Sequence, residues 1–156
     1  MRLKNFLIVV KDMERSKRFY YDLFGLEVIT DFGENVILSG GLVLQEKKIW
    51  DKLIGKKSVC GDSDAELYFE ENNLDYFLNK LERYPEPVRY LNKLTEHPWG
   101  QQVLRIYDPD GHVIEIGEAM DFVVKRLYGK GMSLEEVSQK TGFPIEQVKG
   151  ICGMNI

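Results

Sequence analysis

Apolar and polar positions along this chain follow two rhythms, and the order of those rhythms repeats. The run Asn5 to Val10 alternates as a strand does, with Phe6, Ile8 and Val10 on one face and Asn5, Leu7 and Val9 on the other. Asp12 then suits a helix N-cap, and Met13, Phe19, Tyr20, Leu23 and Phe24 recur at helical spacing until Gly25 ends the helix. The pattern returns 61 residues later. Glu66 to Glu70 alternates, with Leu67 and Phe69 on the face that meets the helices and Glu66, Tyr68 and Glu70 on the other. Asn73 then caps a helix carrying Leu74, Phe77, Leu78 and Leu81.

Each copy continues into an extended hairpin. In the first, Val36 to Leu38 and Leu42 to Gln45 flank Ser39-Gly40-Gly41; in the second, Gln101 to Tyr107 and His112 to Gly117 flank Asp108-Pro109-Asp110-Gly111. Further strands are expected over Glu27 to Phe32 and near Val88 to Asn92. The result is a βαβββ unit twice over, an α+β chain whose duplicated part spans residues 1–118.

The second turn fixes a register. Pro109 suits the second place of a type I turn, and Gly111 tolerates the positive φ of a bulge. Arg105 then falls opposite Glu115, and Tyr107 opposite Val113. Leu104, Ile106, Ile114 and Ile116 form an aliphatic face for helix packing. Gln101, Val103, Arg105, Tyr107, Val113 and Glu115 share the other face.

Two motifs carry a resemblance. Phe19-Tyr20 with Leu23-Phe24-Gly25-Leu26, and Tyr107-Asp108-Pro109-Asp110-Gly111-His112 leading into Ile114-Glu115, resemble the vicinal oxygen chelate superfamily of glyoxalases, bleomycin-resistance proteins and extradiol dioxygenases. The resemblance implies two curved sheets whose concave faces hold a small-molecule pocket, and a homodimer. It also implies that Asn5, Gln45, Glu66 and Glu115 occupy the four positions that hold a metal in metal-dependent members. Those members commonly have His at the first position, where this chain has Asn5. Its histidines, His97 and His112, fall elsewhere. A neutral amide is a poor ligand for Zn or Ni, so a hydrogen-bonding pocket without metal is the preferred expectation. A hard divalent ion held by Glu66 and Glu115 is the alternative.

The expected pocket gathers Asn5, Gln45, Glu66, Tyr68, Trp99, Gln101, Arg105, Tyr107 and Glu115. Glu115 is the one residue singled out as a general base, although Arg105 beside it suits an ion pair that binds ligand. Trp99 either stacks on a planar ligand, with Gln101 orienting a polar group, or covers the core. Trp50, in the connection after the first hairpin, reads as part of a mobile loop that lines a pocket, or as packing or a dimer contact. His97 reads as a surface or capping residue, and His112 as one that faces solvent or stabilises the turn.

Residues 119–156 exceed the repeat and read as three short helices, Asp121 to Tyr128, Ser133 to Lys140 and Pro144 to Ile151, with Ser133 and Glu136 as a capping box. They resemble a small helix-turn-helix, which raises a ligand-responsive DNA-binding regulator as a further alternative. Five basic residues against four acidic ones make that a weak cation source, so nucleic acid is not an expected partner.

Composition narrows the field. The chain has 156 residues, 44% of them apolar, and a net charge of -4, which argues for a folded domain and against a broad polyanion-binding surface. The longest apolar run, Phe6 to Val10, is too short to cross a bilayer, so a cytoplasmic protein without membrane association is expected. Cys60 and Cys152 are far apart and read as ordinary thiols. Whether the ligand is turned over, as by a lyase, isomerase or dioxygenase, these residues leave open.

Overall fold

The computed structural model describes residues 1–61 and 63–154, so the last two positions of the 119–156 segment lie outside the described residues. The first repeat supplies β1 (Phe6–Val10), α1 (Met13–Phe24), β2 (Val28–Asp31), β3 (Asn35–Leu38) and β4 (Leu42–Glu46), followed by α2 (Lys47–Ile54). The second supplies β5 (Glu66–Glu70), α3 (Leu74–Arg83), β6 (Tyr90–Glu96), β7 (Gln102–Tyr107) and β8 (Val113–Gly117). Helices α4 (Met120–Gly129), α5 (Leu134–Thr141) and α6 (Ile145–Ile151) follow. The two four-stranded sheets have equivalent orders, β1-β4-β3-β2 and β5-β8-β7-β6, as the duplicated pattern requires.

Local chemistry sets the element ends. The Asp12 carboxylate accepts from the Arg15 amide at the start of α1, and Gly25 ends that helix at φ 67. Asn73 accepts from the Tyr76 amide at the start of α3. In β1, Ile8 and Val10 are buried, whereas Phe6, assigned to the same face, is half exposed at the strand's beginning. Several strand bounds shift, those of β2, β3 and β4 by one residue at one or both ends. Asn5 precedes β1, Gln101 precedes β7, and His112 precedes β8. Strand β6 starts two residues later than expected and runs on to Glu96, because every residue in it is exposed and no alternation marks its span.

Helix α2 is a correction. The sequence reading placed Trp50 in a loop, but Glu46 accepts from the amides of Lys48 and Ile49, and Gly55 closes the segment at φ 68. Trp50 therefore stands on a capped helix.

The chain packs as two compact units that do not follow the repeat boundaries. The first contains Met1–Leu67, Tyr84–Arg89 and Tyr107–Val113; the second contains Tyr68–Arg83, Tyr90–Ile106 and the chain from Ile114 onward. In the first unit, Ile8, Val10, Phe19, Tyr20, Leu23, Val36, Leu38 and Leu44 form the core. In the second, Leu104, Ile106, Ile114 and Ile116 are buried as the aliphatic face predicted. Both Asp108 N–H to His112 O and Glu118 N–H to Gln102 O lie in the register that sets Arg105 opposite Glu115. Gly111 has φ 97, as the bulged turn demands.

The C-terminal helices belong to the second unit. Val123, Val124, Leu127, Val137 and Val148 form their buried cluster, and the Ser133–Glu136 capping box starts α5. Arg126 donates to both oxygens of buried Glu118 at 2.9 and 2.7 Å and to the carbonyl of Gly100 at 2.6 Å.

Candidate functional site

The Asp108 to His112 turn is held almost entirely from inside. The Asp108 side chain is fully buried and accepts from the Tyr20 hydroxyl at 2.8 Å and from the amides of Asp110 and His112 at 2.9 Å each. His112 Nδ1 lies 2.8 Å from the same carboxylate. Burial works to raise the Asp108 carboxyl, but the bonds from His112 and Tyr20 outweigh it and hold the group below its ordinary range. The Tyr20 phenol moves the other way, well above its ordinary value, through burial and then the Asp108 charge. Asp110, also with a buried side chain, receives Arg15 at 3.3 Å and the Lys11 amide at 3.2 Å. Residues of the second repeat are thus built into the first unit by α1 and the segment before it.

Beside this turn the first unit contains a cavity of about 490 Å³. Its apolar wall includes Leu7 and Val9 of β1, Trp50 and Ile54 of α2, and Val113; Glu66 and His112 add polar groups. Lys56 to Val59, Gly61 and Ser63 to Ala65 form another wall. Two contacts position that segment. Ser58 gives its amide and hydroxyl to Asp51 at 2.8 and 2.6 Å, and Lys47 reaches Asp51 at 2.7 Å. Those bonds, Lys47's first and then Ser58's, lower the Asp51 carboxyl to about 2. At the other end Gly61 packs so closely that a Cβ there would lie 2.5 Å from the Gly111 carbonyl oxygen.

The second unit brings together other residues singled out from sequence. Arg105 and Glu115 form an ion pair. Gln101 gives its amide protons to the Tyr68 hydroxyl at 3.1 Å and the Glu118 carbonyl at 2.8 Å, while its oxygen receives Trp99 Nε1 at 3.0 Å. Trp99 also stacks on His97 with ring centroids 4.2 Å apart. Burial raises the Tyr68 phenol, with the Glu70 charge next in effect.

In the first unit, Gln45 accepts from Asn35 Nδ2 at 2.8 Å and donates to the Glu34 carbonyl at 2.9 Å. Asn5 lies beside Gly41. Tyr107 faces a smaller cavity of about 200 Å³, where the Arg89 guanidinium sits 4.7 Å from its ring centroid. The four family ligand positions do not fit a divalent ion. Glu115 already faces a cation, the Gln45 oxygen is turned to Asn35, and imidazole is absent from the set. Among the described residues no group of three or more His, Cys, Asp or Glu is placed to share a metal.

Sequence reasoning missed the roles of four residues. Asp108 and Tyr20, 88 residues apart, offered no local signal of their contact. His112 was expected to face solvent or stabilise the turn; it bonds within the turn and also lines the cavity. Asp51 gave no hint of Ser58 before α2 was known.

Comparison with known proteins converges on one family. The model of the glyoxalase-like domain matches residues 3–121. A protein of unknown function from Agrobacterium tumefaciens strain C58 is 35% identical, with a TM-score of 0.67 over 76% of this chain and 94% of that one. A glyoxalase-related enzyme from Fulvimarina pelagi is 20% identical, with a TM-score of 0.66 over 76% and 88% of the two chains. A lactoylglutathione lyase from Agrobacterium tumefaciens is 22% identical, with a TM-score of 0.60 over 76% and 94%. Among curated proteins, none matches. With the repeated βαβββ order, the Asp-Pro-Asp-Gly-His turn and a family match over most of its length, this chain belongs to the glyoxalase-like family of the vicinal oxygen chelate superfamily.

Proposed function

We propose that the protein binds a compact, largely apolar small molecule in the cavity of its first unit. The observation that carries this reading is the cavity itself: about 490 Å³, walled by Leu7, Val9, Trp50, Ile54 and Val113, with Lys56, Lys57, Asp64, Glu66 and His112 among its polar groups. Its size and lining match those of small-molecule sites, which combine an apolar surface with a few orienting polar groups. On family resemblance we extend the reading to Asn5, Gln45, Tyr68, Trp99, Gln101, Arg105, Tyr107 and Glu115 as groups that shape or support ligand binding, and to a cytoplasmic homodimer. The Arg105–Glu115 pair favours ligand binding over proton abstraction by Glu115, because a nearby cation stabilises the carboxylate.

Three of the five cations in the C-terminal segment are engaged, which weighs against the DNA-binding alternative. Arg126 and Lys140 are engaged by acidic groups, and Lys149 pairs with Glu146 within α6. Phosphate contacts need cations free to leave such pairs.

Trp50 provides the test. Titration with a panel of small aromatic and aliphatic compounds is expected to quench indole emission in the wild type, with the change lost in Trp50→Phe. Quenching that persists undiminished in Trp50→Phe, or no saturable change with any compound, would overturn cavity binding.

A further inference from the structure

Histidine next to a turn glycine needs little support if its only task is to face water. His112 has far more. Its Nδ1 is held at 2.8 Å by Asp108, a carboxylate with no exposed side-chain surface. That carboxylate is itself held by the buried Tyr20 hydroxyl at 2.8 Å. The amides of Asp110 and His112 suffice to close the turn, so the Tyr20 and ring contacts are additional. Their physical effect is to fix the ring and its tautomer. An ionised carboxylate can only accept, so Nδ1–H is directed at Asp108 and Nε2 carries the lone pair of the neutral imidazole, in a residue that lines the cavity.

We propose that His112, oriented by Asp108 and Tyr20, is a proton-transfer group of the first unit's cavity, and that its ligand is a flat molecule with a weakly acidic hydroxyl, a phenol or an enol. This inference rests on the cavity being a ligand site. Ligand chemistry follows from what a neutral imidazole can take. A carboxylic acid has already lost its proton near neutral pH, and an amine holds its proton too firmly; a phenol or enol stays protonated in water and gives up its proton only to a placed base. The Trp50 indole and the Leu7, Val9 and Val113 side chains suit a flat carbon body.

In the transfer, the ligand O–H bond breaks and its electron pair stays on oxygen. The proton passes to Nε2, and the resulting imidazolium is offset by the Asp108 carboxylate across Nδ1–H. The reverse step returns the proton, so no oxidant or co-reactant is needed. The charged and titratable groups around the ring are Asp108 and Asp110 in its own turn, Tyr20, Arg15 and Lys11 from α1 and the segment before it, Cys60 in the neighbouring loop, and Arg89, whose guanidinium lies near Gly111. Lys56, Lys57, Asp64 and Glu66 line the same cavity.

The probe is 4-nitrophenol, whose ionised and neutral forms absorb at different wavelengths. Binding is read by Trp50 quenching and proton transfer by the absorbance of the bound probe. On the wild type, we expect bound nitrophenol to ionise about one pH unit below the free compound, a tenfold shift in the proton equilibrium. Histidine-selective nitrogen NMR of the wild type should show His112 becoming doubly protonated as the probe binds, with His97 unchanged. Compared at saturating probe, the ionisation shift should vanish in His112→Gln and shrink in Asp108→Asn. A bound probe that ionises equally in the wild type and His112→Gln, or a His112 ring that stays neutral on binding, overturns proton transfer and leaves cavity binding standing. Failure of nitrophenol to quench Trp50, while other compounds do, overturns the ligand class and with it the proposal. Failure of every compound overturns cavity binding itself.

Discussion

Asp51 illustrates how one side chain connects helix and loop. Its carboxylate holds Ser58 by two bonds and Lys47 by a third, and together they lower its pKa from 3.8 to about 2. A folded value below the ordinary one means that the charged form is preferred in the native state. Its stabilising contribution is therefore complete above about pH 4 and disappears as pH falls through about 2. Thermal unfolding of the wild type and Asp51→Asn should show a midpoint difference that is constant from neutral pH to about 4 and closes toward pH 2. The same scale explains what sequence could disclose about the site. Arg105 and Glu115 were legible because an antiparallel register, set by Pro109 and Gly111, places them opposite each other. Tyr20 with Asp108 was not, because no local pattern relates a helix residue to a turn 88 positions away.

At the scale of elements, alternation identified strands wherever one face is buried. β1, β5, β7 and the helices after β1 and β5 followed from it, down to the capping residues Asp12 and Asn73. It could not set the bounds of β6, whose residues are all exposed, and it missed α2, whose eight residues contain few turns in which to establish a period. The segment from Lys56 to Gly61 depends on tertiary contact rather than pattern, and Gly61 is its tightest point. Gly61→Ala places a methyl group 2.5 Å from the Gly111 carbonyl at φ 74, so backbone must move. Gly55, at φ 68 with nothing within 4 Å, is the comparison. We expect Gly55→Ala to cost about 1 kcal/mol, the conformational penalty alone. Gly61→Ala should cost about 2 kcal/mol or more in urea unfolding and should reduce ligand quenching of Trp50, since the displaced loop lines the cavity.

For the whole molecule, the C-terminal helices are fastened to the second unit by a buried charge pair. Arg126 covers both oxygens of Glu118, which is 2% exposed and also accepts from the Gln102 amide at 2.8 Å. Removing only the cation leaves a carboxylate in a poorly solvated place. Arg126→Met should therefore lower stability by about 3 kcal/mol in urea unfolding, and Arg126→Met with Glu118→Gln should recover part of that loss, because the double variant no longer buries a lone charge. Three helices past residue 119 and their capping box were readable from sequence; their attachment through Arg126 was not, since its partners Glu118 and Gly100 lie just outside the ends of β8 and β7.

The Asp-Pro-Asp-Gly-His turn is encoded in the second repeat but serves as interior scaffold for the first unit. A fragment cut after Leu67 would keep β1 to β4 and α1 yet lose the carboxylate that receives Tyr20 and the one that receives Arg15. It would bury a phenol without its acceptor and open the cavity on the side where His112 and Val113 stood. Repetition therefore coexists with dependence: the two copies share a strand order, but the first unit takes part of its interior from the second copy.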